Sequence, residues 1–285
     1  MTNQSTISLV VVTRNRAPLL RRLFESLMRQ SFKKFEVIIV DQSDSEHRHM
    51  VRELVGTCEQ NLDIRLIEDS GTGLSRGRNL GVRIVQGEII GFPDDDCWYA
   101  DELVQQVFTW FQAHPDYDFL AAPFSEPNVH NSMFPAVERD ISYWRGGVIG
   151  VCSVGLFFRR RIVRGGNVFF AENLGVGREL ICSEETDFVF RCVRCGYRGR
   201  FVPAITVFHP IKSTLLEPER ILNMDKARSY VFYKNRAVPE ALFRLVAGMF
   251  VLMARALGSK EARNRLEARI NGVVTSARDS RVART

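Results

Sequence analysis

Ile7-Ser8-Leu9-Val10-Val11-Val12-Thr13 is too apolar and too rich in β-branched residues to lie half in water. It reads as a central strand of a parallel sheet covered on both faces. Covering both faces takes helices, and the chain alternates strand and helix. Pro18 can open a helix at its first turn, and Leu19, Leu20, Leu23, Phe24, Leu27 and Met28 then share one face. Residues 35–41 form a second strand and 63–67 a third, and a helix over about 75–86 leads into the apolar run 88–93. This repetition with short connections predicts a doubly wound, mostly parallel α/β sheet with right-handed crossovers. Ligands of such sheets bind beyond the C-terminal ends of the strands, so the residues that follow each strand carry the functional signal.

After residues 88–93 come three consecutive acids, Asp94-Asp95-Asp96. Adjacent carboxylates repel one another unless something positive sits among them. Oxygen-rich clusters of this kind suit Mg²⁺ or Mn²⁺, which in turn bridge phosphate oxygens. A solvated acidic turn is the competing explanation, and the position at a strand end weighs against it.

The rest of the chain is less regular. Residues 101–113 read as a helix, 119–124 as a strand, and 123–142, rich in Pro, Asn and Ser, as a long loop. Residues 148–158 are strand-like, with Gly150 and Gly155 admitting another backbone or a ligand at close range. A helix over 184–195 ends at Gly196, extended pieces at 201–203 and 205–208 lead to His209, and everything beyond Glu217 reads as helix.

At 285 residues the chain can bury a large core. Its polar start lacks the basic and apolar regions of a secretory signal, which points to the cytoplasm. Six cysteines show no disulfide-scaffold spacing, and the Cys192/Cys195 pair stands alone in a helical setting, so reduced structural thiols are expected. From Arg236 onward, ten basic residues face four acids, and this surplus of six equals the net charge of the whole chain. An anionic surface is the implied partner. The tail lacks aromatics interleaved with its basic residues, so no nucleic acid is expected. Residues 241–255 are the most apolar helix candidate, but the stretch between Arg244 and Arg255 is too short to span a bilayer. It suits either the membrane interface or packing on the catalytic domain or a second subunit.

Six motifs occur in order: 11–16 after the first strand, 40–44 after the second, Gly73-Leu74-Ser75-Arg76-Gly77-Arg78-Asn79-Leu80-Gly81, 87–96, 183–188, and Val207-Phe208-His209-Pro210. Together they resemble the inverting glycosyltransferases of family 2, which have a GT-A fold. The resemblance covers roughly residues 7–210. It implies a GT-A catalytic domain at 1–215, with a nucleotide-sugar half at about 1–100 and an acceptor half at about 101–215. A helical, basic extension follows at 216–285.

The resemblance also implies roles. Thr13, Arg14 and Asn15 would meet the nucleotide, and Asp41 would grip a ribose hydroxyl or a base N–H, with an N-cap role as the alternative. Arg78 would support the diphosphate or the acids, against an ordinary surface ion pair. In the Asp-x-Asp pattern, Asp94 contacts ribose or metal, Asp95 lies on the donor side, and Asp96 binds Mn²⁺ or Mg²⁺ directly, with His209 as a further ligand. The family most often carries Glu-Asp where this chain has Glu184-Glu185. Glu185 matches the base, which leaves the choice between Glu184 and Glu185 open, and Asp187 follows as an acceptor-side or structural acid. The donor would be a UDP- or dTDP-linked sugar and the acceptor a glycan or lipid-linked saccharide. Apart from the resemblance, the basic tail and the apolar 241–255 stretch point to peripheral contact with the inner face of the cell membrane or to a homo-oligomer.

Two rivals remain. A sugar-1-phosphate nucleotidyltransferase would want a Gly-rich loop with a lysine after the first strand, and residues 13–18 have neither. A non-catalytic, membrane-associated partner of another transferase would not need the acid triplet together with Glu185 and His209.

Overall fold

The computed structural model describes residues 6–129, 131–142, 151–164, 168–211 and 217–282. Strands β1 (Ile7–Thr13), β2 (Phe35–Asp41), β3 (Asp63–Glu68) and β4 (Ile89–Gly91) alternate with helices α1 (Ala17–Met28), α2 (Ser45–Cys58) and α3 (Leu74–Val82). Then follow α4 (Leu103–Ala113), β5 (Phe119–Ala121), β6 (Phe124–Ser125), β7 (Arg139–Ile141), β8 (Leu156–Arg159), α5 (Arg161–Arg164), α6 (Glu184–Arg194), β9 (Gly199–Phe201) and β10 (Val207–Phe208). Three helices close the chain: α7 (Pro218–Lys234), α8 (Pro239–Ala256) and α9 (Lys260–Val282).

One eight-stranded sheet runs β3-β2-β1-β4-β8-β5-β9-β7. Its first four strands are parallel, and β8 enters antiparallel between β4 and β5. The sheet therefore runs without a break through the regular first hundred residues and the irregular stretch that follows. The chain leaves β1 toward β2 on one side and returns as β4 on the other, which makes the ends of β1 and β4 the switch point where a cleft opens.

Successive residues of the central strands feed opposite cores. Leu9, Val11, Val37 and Ile39 pack with α1 and α4, whereas Val10, Ile38 and Val40 pack with α3 and α6. This two-sided burial is what the unbroken apolar runs predicted. Strand β3, at the sheet edge, is only half buried.

Several sequence expectations are corrected. The stretch 45–58, which the sequence pattern leaves unassigned, is helix α2, capped by the Asp44 side chain on the His47 amide. The strand expected over 119–124 stops at Ala121, and the chain resumes as β6, paired with β10 in a separate ladder. Pro123, between them, has no N–H for a ladder. The loop expected over 123–142 contains β6 and β7, strands too short to show a period. The extended piece 148–158 narrows to β8, and Gly150 lies outside the described residues. Gly155 does admit a backbone: a Cβ there would sit 2.0 Å from the Ala122 carbonyl oxygen. All six cysteines are free thiols, with Cys192 buried in α6 and Cys195 exposed at its end.

The C-terminal helices are pinned to one another and to the sheet domain. Buried Asp225 of α7 holds Arg265 at 2.6 Å and Arg269 at 2.9 Å, both from α9. Tyr230 donates to Asp279 at 2.8 Å and accepts from Asn173 at 2.9 Å. Among the described residues, no helix is long and apolar enough to cross a membrane.

Candidate active site

Parallel pairing brings the ends of β1, β2 and β4 side by side, so Thr13, Asp41 and the acid triplet share one edge of the sheet. The triplet's repulsion is met acid by acid. Arg16 reaches Asp95 and Asp96, each at 2.7 Å, and Arg78 reaches Asp94 at 3.2 Å. Thr13 donates its hydroxyl to Asp95 at 2.9 Å. Burial nevertheless pushes the Asp95 carboxyl up to about 6, against the pull of Arg16 and Thr13. Both Asp95 oxygens are thus engaged by protein, although the residue also lines the cavity described below.

His209 follows β10 and stands 3.1 Å from Asp96. Its hydrogen bond, together with Arg16, holds Asp96 well below the usual carboxylate range. Burial acts to lower the imidazole's pKa, but the bond to Asp96 and the charge of the acids outweigh it and raise it. Nδ1 lies 2.8 Å from the Pro210 carbonyl, which can only accept, so Nδ1 carries the proton. Nε2 then faces a carboxylate oxygen, and a proton or a cation has to lie between them. Asp94, Asp96 and His209 each offer one ligand atom, all within 4.8 Å of one another. Two carboxylates and an imidazole fit Mn²⁺ or Mg²⁺.

Around this cluster lies a cavity of about 320 Å³, lined by Thr13, Arg14, Gln42, Asp94, Val176 and His209, among others. Arg14 is exposed at its rim. Asp41 is fully buried at the end of β2; one oxygen accepts from the Ser43 amide at 2.8 Å, and the other, Oδ2, has no partner among the described residues. A buried carboxylate oxygen without a donor is costly unless something else fills that role. The N-cap of α2 belongs to Asp44, not Asp41. Asn15 is drawn elsewhere. With φ at 56° it exchanges two hydrogen bonds with Asp44, at 2.7 and 3.0 Å, and so staples the two strand-end turns together.

Two residues near the site, Asp69 and Ser153, escaped the sequence reading, and a third, Arg16, fell within the 11–16 motif but was given no role. Arg16 lies in the same strand-end turn as Arg14, which was a usable signal. Asp69 directly follows β3, as the acids follow β4. It holds Arg76 and the Gln42 amide, and the Arg76 hydrogen bond brings its carboxyl down to about 2. Ser153, which accepts from Arg78 at 2.9 Å, has no signature in the sequence.

The two adjacent glutamates at the start of α6 are separated by their surroundings. Glu184 is buried and accepts from Arg78 at 3.0 Å. Glu185 faces a second cavity of about 460 Å³, walled by Phe134, Cys152, Phe190, Arg228, Phe232 and Arg244. Burial, reinforced by the neighbouring Glu184 charge, raises the Glu185 carboxyl far above the usual range, to about 8. Asp187, expected among the catalytic acids, is turned away from both cavities. It is fully buried, bound to Arg191 at 2.8 Å, Lys234 at 3.0 Å and Asn235 at 2.9 Å. Burial acts to raise its pKa, but Arg191 and Lys234 outweigh that and lower it, so Asp187 is an ionised tie between α6 and α7.

A switch-point cleft with an acid cluster on its floor, on a mostly parallel sheet with antiparallel β8 inserted, is the architecture of a GT-A glycosyltransferase. The crystal structure of TarS 1-349 from Staphylococcus aureus, in complex with UDP-GlcNAc, has this fold. It superposes with a TM-score of 0.68 at 18% identity, over 94% of this chain and 81% of that one. A mannosyltransferase from Pyrobaculum calidifontis, in complex with GDP-Man and Mn²⁺, gives a TM-score of 0.63 at 17% identity over 98% and 88%. Residues 8–166 match glycosyl transferase family 2, and the chain belongs to that family. Poly(ribitol-phosphate) beta-N-acetylglucosaminyltransferase TarS of Staphylococcus aureus is 24% identical over 172 residues, 59% of this chain but 30% of that protein. An uncharacterized glycosyltransferase of Haemophilus influenzae is 30% identical over 118 residues, 41% of this chain and 38% of its own length. The chain thus matches well under half the length of these curated relatives.

Proposed function

We propose that the chain transfers a sugar, with inversion, from a nucleoside-diphosphate sugar to a hydroxyl of a glycan or lipid-linked acceptor. The observation that carries this reading is a division of labour between two cavities. One contains the Asp94, Asp96 and His209 cluster, and the other contains Glu185. A transfer between two substrates needs both. The nucleotide-sugar complexes of the two GT-A neighbours add weight to it.

Mn²⁺ or Mg²⁺ at the three-residue cluster would act as a Lewis acid toward the departing diphosphate. The chain's own groups do the rest. Arg14 meets phosphate at the rim, while Asp41, fully buried and outside the cavity lining, acts through the Ser43 amide that it holds. Arg78 fixes the orientation of Asp94 and keeps the start of α6 against the cleft. Glu185 takes the acceptor hydroxyl's proton as that oxygen attacks the anomeric carbon from the face opposite the leaving group. A raised pKa makes its carboxylate a stronger proton acceptor than an ordinary one. Glu184 is the poorer candidate because its oxygen is committed to Arg78.

A screen of nucleotide sugars for thermal stabilisation and Mn²⁺-dependent hydrolysis tests the proposal. Hydrolysis of one or two of them, abolished by chelation, is the expected outcome. Binding without hydrolysis under any metal would instead identify a non-catalytic partner. A cytoplasmic location, with peripheral membrane contact through the basic extension, belongs to the same proposal.

A further inference from the structure

Only one apolar side of α8 is covered. Ala241 and Leu252 are buried, whereas Phe243, Val246, Phe250 and Met253 are 71%, 59%, 72% and 59% exposed, and Leu257 at the C-cap is 91% exposed. These five fall at i, i+3, i+7, i+10 and i+14, a single stripe along the helix. The charges nearest the stripe do not interrupt it: Arg244 is paired with Glu240, and Arg255 stands exposed at the helix end. A contiguous apolar face of this kind in water marks an interaction surface. Past the helix end, Lys260 and Arg263 are exposed, and residues 236–285 carry a basic surplus of six. Arg244, from the same helix, lines the cavity that Glu185 faces.

We infer that α8 lies in the interface of a bilayer containing anionic lipid, with Phe243 and Phe250 inserted among the acyl chains and the exposed Arg255, Lys260 and Arg263 at the headgroups. At 18 residues and with its opposite face packed on protein, α8 lies on the membrane and does not cross it. The docked helix holds the Glu185 cavity at headgroup level, where a lipid-linked acceptor is presented; this last clause rests on the transferase reading, and the docking itself does not. The three-and-four spacing of the stripe would also suit a helix of a second copy. Pairing two copies there brings together two tails, each with the same surplus of six positive charges, whereas an anionic bilayer neutralises them.

Co-sedimentation of the full chain with phosphatidylcholine vesicles, with and without phosphatidylglycerol, decides the matter. The chain should pellet with the anionic vesicles, less so in high salt. A Phe243→Ser/Phe250→Ser variant should partition at least about tenfold more weakly, since two large apolar side chains no longer leave water. Its melting curve should be unchanged, because both side chains already stand in solvent. An Arg255→Glu/Lys260→Glu variant should lose the preference for phosphatidylglycerol. A full chain that stays in the supernatant with anionic vesicles at low salt overturns the inference. So does a double-Ser variant that pellets as the parent does. A dimer in sedimentation velocity that the double-Ser variant dissolves, without vesicle binding, would assign the face to a second copy. Mn²⁺-dependent donor hydrolysis, measured without vesicles, reports on the transferase reading separately.

Discussion

Arg78 and Glu184, 106 positions apart in the chain, meet inside the protein at 3.0 Å. Both are buried, and the same guanidinium reaches Asp94 at 3.2 Å. One cation therefore ties the acid cluster after β4 to the start of α6, which carries Glu185. The spacing between the acid cluster and the proposed base is held by this buried group as well as by the long connection between them.

Replacing Arg78 by Ala should leave Glu184 buried without a partner, which costs about 3–5 kcal/mol of stability. Arg78→Lys keeps the charge but loses the fork that reaches three acceptors, so its loss should be intermediate. Urea denaturation of the two variants measures both. An Ala variant within about 1 kcal/mol of the parent would show that the tie holds little.

Asp96→Ala removes a ligand from the Asp94, Asp96 and His209 cluster without removing core volume. Transfer and donor hydrolysis should vanish, and stabilisation by Mn²⁺ in a thermal melt should vanish with them, while the fold persists in chelator. Undiminished activity with the parent's metal requirement would refute the ligand set.

The rate should depend on pH through Glu185. With its carboxyl raised to about 8, the carboxylate fraction, and so the rate, climbs as pH rises toward 8 and levels off above it. The sign for stability is opposite. A folded pKa above the unfolded value favours the protonated folded state, and that contribution is lost as pH rises through about 8. Glu185→Gln should flatten both dependences and slow transfer by about 10²–10⁴ while donor binding survives. Initial rates from acid to alkaline pH, with Glu184→Gln alongside, decide which glutamate is the base.

Gly155→Ala tests the join between β8 and the chain leaving β5. The added Cβ would meet the Ala122 carbonyl oxygen at 2.0 Å, so backbone has to move. A loss of about 1–3 kcal/mol, read by denaturation, is expected from this overpacking. Gly196→Ala, where nothing lies within 4 Å of the new Cβ but φ is +87°, separates steric from conformational cost.

Much of the edge that carries the acid cluster was legible because its signals are local. An unbroken apolar run requires burial on both faces, as found for β1 and β2, and the strand-end rule pointed to Thr13, Asp41 and the acid triplet. His209 came from the resemblance alone, since nothing near it in sequence marks it. The same strand-end rule, carried one strand further, reaches Asp69. Strands of two or three residues, such as β6 and β7, show no periodicity and were read as loop.

Alternation of strand and helix, the acids that follow β4, and the basic tail were determined by the sequence itself, because each depends on neighbouring residues along the chain. Where Glu184, Glu185 and Asp187 each end up was decided only by the tertiary structure. Consecutive residues of a helix point about 100° apart, so adjacent identical side chains enter different surroundings. For Glu184 that is Arg78 from α3, for Glu185 an open cavity, and for Asp187 the cations Arg191 and Lys234. Most of those partners lie tens of positions away, and only the folded chain brings them within reach.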